Sequence, residues 1–375
     1  MKITNIKSFV VHTKRDNWVF TRVYTDEGFT GLGESSMEGR EETVIAAIDA
    51  LKPYLIGKDP FDTELHYHQM FRDAYWGSCA ILVGALSAID GALWDIKGKA
   101  LNVPVYQLLG GSFRKKIRVY ANRWFFGASR PEELAKKAKD IVKQGYTALK
   151  WDPFGRAQWE ISTAQLDSTL KEIQAVREAV GHGVDIMIEG HGRFNQNTAL
   201  KIAREMVPFK PFFFEEPIMP ENIDALAQLH DKSPIPIAAG ERFYTKTDFA
   251  EVLRRNAIDY AQPDLRWTGG ITEGKKIAAI CEANFIQVAP HNIHGPIGVA
   301  MTIQLAAAIP NAVILEHSVE EIPWLSKIVD YQFVVENGYM SIPDRPGLGI
   351  DIDEEAAKEF PLRKQSMIEN MFESE

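Results

Sequence analysis

From about residue 115 onward the chain repeats one pattern. A short apolar segment ends in a polar residue, and a stretch of helical composition follows. The apolar segments are "RVYAN", "TALKW", "VDIMIE", "FFFEE", "IPIAAGE", "IDYAQPD", "FIQVAPH" and "AVILEH". Between them lie amphipathic stretches such as "PEELAKKAKDIVKQG", "TLKEIQAVREAVG", "TALKIAREM" and "ITEGKKIAAICEAN". The segments end near residues 122, 151, 189, 215, 241, 264, 291 and 316. One buried strand plus one crossover helix occupies about that spacing. Continuous apolar strands alternating with helices predict parallel strands covered on both faces. Eight of them predict a TIM-type (β/α)8 barrel, usually about 250 residues long.

The first 115 residues read differently. "KITNIKSFVVHT", "VFTRVYT" and "FTGLGES" alternate like antiparallel strands, with "TDEG" as a turn. Leu82, Leu86, Ile89, Leu93 and Ile96 mark one face of a helix. After the last apolar segment, "FVVENGYMSI" predicts a hairpin turning at Asn337-Gly338. The expected organisation is an α+β domain over 1–115, a barrel over 116–330, and a segment over 331–375 that returns to the first domain.

Bulk properties narrow the partners. Lys and Arg number 42 against 51 Asp and Glu, a formal charge of −9. That disfavours nucleic acid and anionic membrane surfaces. No run of about 18 apolar residues occurs, so no membrane span is expected. The start "MKITNIKSFVVHTKRD" lacks the apolar stretch of a signal peptide. Cys79 and Cys281 are the two cysteines and lie far apart. No disulfide framework follows, and a reducing cytoplasm is expected.

In such a barrel the active site lies at the carboxyl ends of the strands. Those ends carry Lys150 and Asp152, Glu189 and His191, Glu215, Glu241, Asp264, His291 and Glu316. A single strand-end glutamate is most simply a helix cap or an ion pair. A whole ring of ionisable groups converging on one mouth is much harder to explain that way. So much negative charge repels itself unless a cation is present. Glu189, Glu215 and Glu241 recur at intervals of 26 residues and make the natural cage. Three hard oxygen ligands suit Mg²⁺, which keeps places for water or substrate. Glu216 competes with Glu215, but neighbouring strand residues face opposite ways, so only one can face the axis. His191 and His291 flank the cage. Zinc ligation is open to them, but acid–base work fits better beside three carboxylates. Asp264 is placed to hold one ring nitrogen of His291 and leave the other free. His294 is a weaker candidate, and Gly269-Gly270 reads as a loop turning into a helix.

Several motifs together resemble the enolase superfamily, in its mandelate-racemase-like branch, and within it the acid-sugar dehydratases. They are "SAIDGALWDIKGKALNVPVYQLLGG", "EEP" at 215–217, "GER" at 240–242, "QPD" at 262–264, "PHN" at 290–292 and "PGLGI" at 346–350. The resemblance implies an α/β fold, a modified (β/α)7β barrel with an α+β N-terminal capping domain. It implies that Glu189, Glu215 and Glu241 hold Mg²⁺, that His291 with Asp264 is a general base, and that Glu316 stabilises an enolate. His191 looks like the general acid of galactonate and gluconate dehydratases. Many relatives have Asp where this chain has Glu189. Racemases of the family carry Lys-x-Lys after the second strand, where this chain reads Lys150-Trp151-Asp152.

The expected reaction is loss of water from a sugar acid, aldonate or aldarate, through an enediolate to a 2-keto-3-deoxy acid. Lys150 and Glu316 are expected to stabilise the developing charge. Racemisation or epimerisation of a 2-hydroxy acid is the alternative. A non-catalytic sugar-acid-binding protein is a remote one. Substrate contacts are expected from Asn17, Trp18 and Trp76 in the capping loops, and from Arg123 and Asp152 at the mouth. Trp124, Arg156 and Trp324 are further mouth candidates. The family resemblance also implies a homo-oligomer.

Overall fold

A computed structural model describes residues 1–73, 79–293 and 295–364. Near the N-terminus, β1 (Ile3–His12), β2 (Asn17–Thr25) and β3 (Thr30–Glu34) form an antiparallel sheet. β2 is buried along almost its whole length because a long helix, Ala80–Ala100, lies against the sheet. Close approach needs glycine here: a Cβ on Gly33 would collide with the backbone of Ala88. The apolar stripe read from the sequence packs into this core. The other side of the helix meets the barrel, where Trp94 Nε1 donates to Thr272 Oγ1 at 2.8 Å.

Eight parallel strands make the barrel: β4 (Lys116–Asn122), β5 (Ala148–Trp151), β6 (Asp185–Glu189), β7 (Phe214–Glu215), β8 (Ile237–Ala239), β9 (Tyr260–Ala261), β10 (Gln287–Val288) and β11 (Leu315–Ser318). Consecutive strands pair from β4 to β10. β11 pairs in parallel with β4, Glu316 opposite Tyr120. The last seam closes through Val288 N to Asn311 O and Val313 N to Val288 O, both 2.9 Å. Strand eight is followed by no long helix among the described residues, so the barrel is the modified (β/α)7β form.

Strand parity decides what faces the axis. Tyr120, Ala148, Met187, Phe213, Ala289 and Ile314 pack together as an apolar floor. Residues two further along a strand share its face. Those residues are Asn122, Lys150, Glu189, Glu215, His291 and Glu316, so the apolar floor carries a polar layer at the carboxyl end.

The hairpin β12 (Val335–Glu336) and β13 (Tyr339–Ser341) turns at Asn337 and Gly338, with φ of +50° and +80°. β13 pairs antiparallel with the first half of β4. Beyond it, Leu348 N donates to Asp95 at 2.8 Å, and Asp351 pairs with Arg22 at 2.7 Å. No helix among the described residues is long and apolar enough to cross a membrane.

Candidate active site

The three glutamates converge as their strands do. Glu189, Glu215 and Glu241 bring one carboxylate oxygen each to within 4.8 Å of one another. Glu216 turns the other way and pairs with Arg242, whose Nε is 2.8 Å from its Oε2. Lys150 Nζ sits on the floor side of the cage, 2.7 Å from Glu215, 2.9 Å from Glu316 and 3.2 Å from Glu189. Burial opposes the lysine's charge, but these carboxylates outweigh it and hold its pKa well above the usual value.

The cage carries more negative charge than its surroundings relieve. Burial, and then the charge of Glu189, push the Glu215 carboxyl well above the usual range. Burial acts the same way on Glu189, but His191 and Lys150 outweigh it and bring its pKa down to about 2. Glu215 Oε2 takes Lys150 and Gln262, the latter at 2.7 Å, whereas the buried Oε1 has no hydrogen-bond partner among the described residues. A buried acceptor without a partner is costly. Hard oxygen donors, excess negative charge and an orphaned acceptor all fit a divalent cation.

His291 stands on the Glu241 side. Its Nδ1 is 2.7 Å from Asp264 Oδ2, and its Nε2 is 3.0 Å from Glu241 and 3.7 Å from Glu316. Burial opposes ionisation of Asp264, but Arg266 and His291 prevail and hold it well below the usual carboxylate range. The ionised carboxylate can only accept, so Nδ1 carries the proton. Burial also works against a charged His291, yet Glu241, Glu316 and Asp264 push its pKa up to about 9. Glu316 is held by Asn122 Nδ2 at 2.7 Å and by the backbone N of Asn292 at 2.9 Å.

His191 stands on the opposite flank, beyond Glu189. Its backbone N donates to Glu189 Oε1 at 2.8 Å, and its Nδ1 is 2.6 Å from Asp152 Oδ2. Its side chain is 52% exposed, against 6% for His291. Arg193 also grips Asp152. The carboxylate expected to face substrate is therefore turned onto His191 and Arg193.

The other expected substrate contacts are largely engaged within the protein. Asn17 is buried, with Nδ2 donating to Glu41 at 3.2 Å and to Arg363 O at 2.9 Å, and Oδ1 accepting from Arg363 N at 3.0 Å. Both ends of its amide fasten the chain's tail. Trp18 is buried among aromatics, edge-on to Trp324, and borders a cavity of about 360 Å³ outside the β4–β11 seam. Trp324 stacks on Phe360 at 4.2 Å. Arg123 is buried between Asp16, Glu38 and Glu320. Trp124 braces β5 through Nε1 to Lys150 O at 2.8 Å. Trp76 and His294 lie outside the described residues.

Residues that were not singled out also take part. Gln262 shares its strand-end parity with Asp264, a signal that was available. Asn122 ends its own strand in the same way. Arg193 and Arg266 reach their carboxylates only through loop turns, which leave no periodic trace.

Known proteins bear on this geometry. Residues 4–110 match the mandelate racemase / muconate lactonizing enzyme N-terminal domain, and residues 133–356 match the enolase C-terminal domain-like family. A D-galactonate dehydratase of Xanthomonas oryzae pv. oryzae is 38% identical over 364 residues, covering 96% of this chain and 94% of its own. A D-gluconate dehydratase of Thermoproteus tenax is 36% identical, covering 91% and 69%. A crystal structure of an enolase-superfamily member from Salmonella Typhimurium superposes with a TM-score of 0.92 at 33% identity, covering 96% of this chain and 98% of that one. Through both of its domains, the chain belongs to the mandelate racemase / muconate lactonizing enzyme group of the enolase superfamily.

Proposed function

We propose that this protein is a Mg²⁺-dependent hydro-lyase that removes water from an aldonic acid to give a 2-keto-3-deoxy acid. One observation carries the reading: two histidines, each held by its own aspartate, flank a cage of three glutamates. The relatives named D-galactonate and D-gluconate dehydratase support it. So does the state of the arginines near the mouth: Arg123, Arg193, Arg242 and Arg266 already face carboxylates. That favours a substrate with one carboxylate over a diacid.

Mg²⁺ held by Glu189, Glu215 and Glu241 would supply Lewis-acid stabilisation of the negative charge that develops on the substrate carboxylate. The chain's own residues do the rest. Asp264 fixes Nδ1 of His291; with the charge of Glu241 taken up by the cation, the ring would be neutral, leaving Nε2 to take the C2 proton. Lys150, already poised among carboxylates, offsets the charge that appears as that proton leaves. Glu316, held in place by Asn122 and the Asn292 backbone, lines the same side. On the opposite flank, His191 gives a proton to the departing C3 hydroxyl, which leaves as water. Its open side lets solvent restore that proton for the next turnover. The enol then becomes the 2-ketone.

In this reading the protein works in the cytoplasm as a homo-oligomer, on a small sugar acid. A panel of aldonic and aldaric acids tests the proposal, with product detected as a semicarbazone and by mass. An aldonate should yield a ketone lighter than substrate by one water. Recovery of a C2 epimer of unchanged mass would instead show an epimerase on the same scaffold.

A further inference from the structure

Asp264 is gripped from two sides. On one side lies His291. On the other, the backbone N and Nε of Arg266 both donate to Oδ1 at 2.9 Å, and Nη2 closes on Oδ2. A forked contact of this kind fixes the plane of the carboxylate as well as its position. The remaining nitrogen, Nη1, makes no hydrogen bond among the described residues and stands 3.9 Å from Oε1 of Glu34. Both Arg266 and Glu34 are fully buried.

Glu34 ends β3, so it belongs to the capping domain. Its Oε1 accepts from Ser36 Oγ at 2.7 Å and from Gly295 N at 2.9 Å, and its Oε2 accepts from Gly298 N at 2.8 Å. Gly295 and Gly298 open the helix Pro296–Ala308, which follows the His291 loop. One capping-domain carboxylate therefore touches both barrel segments that carry the His291–Asp264 pair. There is little slack: a Cβ on Gly295 would strike the Glu34 carboxylate, and one on Gly298 would strike Arg266 Cδ. In so buried a setting, opposite charges at this distance interact far more strongly than at the surface.

We propose that Arg266 and Glu34 are positioning residues for the general base: Glu34 sets Arg266, Arg266 sets the Asp264 carboxylate, and Asp264 sets the His291 ring. The capping domain then shapes the geometry of the base as well as covering the site. The proposal rests on the assignment of His291 as that base.

Proton NMR of the intact protein tests it without substrate. A hydrogen-bonded Nδ1–H of His291 should give a strongly downfield signal that His291→Asn removes. Arg266→Met should shift or broaden it, and Arg266→Lys should restore it in part. Glu34→Gln should shift it less. In turnover, Arg266→Met should lower kcat by about tenfold to a hundredfold, the range typical of partners that orient a reacting group, with KM little changed. A folded Arg266→Met protein with the wild-type signal and kcat would overturn the proposal. If that variant does not fold, wild-type signals in both Arg266→Lys and Glu34→Gln would overturn it equally. If the signal responds as expected but no sugar acid is dehydrated, the positioning stands and the reaction assignment fails.

Discussion

Asp264 holds Nδ1 of His291 at 2.7 Å, so Nε2 is the ring nitrogen left to face the glutamate cage. Taking away that ring should stop chemistry at C2. His291→Asn is expected to lose about a hundredfold or more in dehydration, and to lose exchange of the C2 proton with D₂O as well. Dehydration near the wild-type rate would remove His291 from the mechanism.

The second histidine should separate the two proton transfers. His191 has φ of +47°, a backbone conformation that asparagine tolerates better than most residues. His191→Asn therefore tests the side chain with little backbone cost. It should lose dehydration by a similar factor while C2 exchange persists, because only the leaving-group acid is gone. Equal loss of both reactions would show that His191 does more than protonate the hydroxyl.

The orphaned acceptor of Glu215 gives a direct test of the cage. Titration calorimetry with Mg²⁺ should show binding to the wild type, and Glu215→Gln should weaken it strongly. EDTA should abolish turnover and added Mg²⁺ should restore it. Full activity in a rigorously metal-free sample would sink the metal assignment.

His317 offers a stability prediction away from the cage. It faces outward from β11, with Nδ1 2.6 Å from the hydroxyl of Tyr146. Burial lowers its pKa to about 4. Unfolded, the ring titrates near ~6.5. The unfolded chain therefore binds a proton that the folded one refuses, and stability falls as pH drops from about 6.5 to about 4. The full displacement is worth about 3 kcal/mol. One edge of the ring borders the 360 Å³ cavity, which trims the effect to about 2 kcal/mol. Urea unfolding of His317→Gln at several pH values should show a flatter acid limb than the wild type. Parallel curves would refute the buried-neutral state of this ring.

The repeat of apolar segments determined much of this protein before any coordinate. Its period demands strands and crossover helices in alternation, and eight of them close into a barrel. Strand parity is equally local: with Phe213 in the floor, Glu215 points inward and Glu216 outward. The acidic ring at the strand ends was legible for the same reason. Tertiary structure alone decided what the loops do. Asp152 was read as a substrate contact; the turn after Glu189 also brings His191 and Arg193 onto it, a partnership that no periodicity announces. Asn17 was expected to meet substrate from a capping loop; both ends of its amide bond the returning tail at Arg363. Arg266 gave no signal, because the loop turn that folds it back onto Asp264 leaves no periodic trace. Periodicity fixes which face a side chain takes along a regular element. It says nothing about where a loop turns or which distant segment arrives to meet it, and those contacts form only when segments far apart in the sequence pack together.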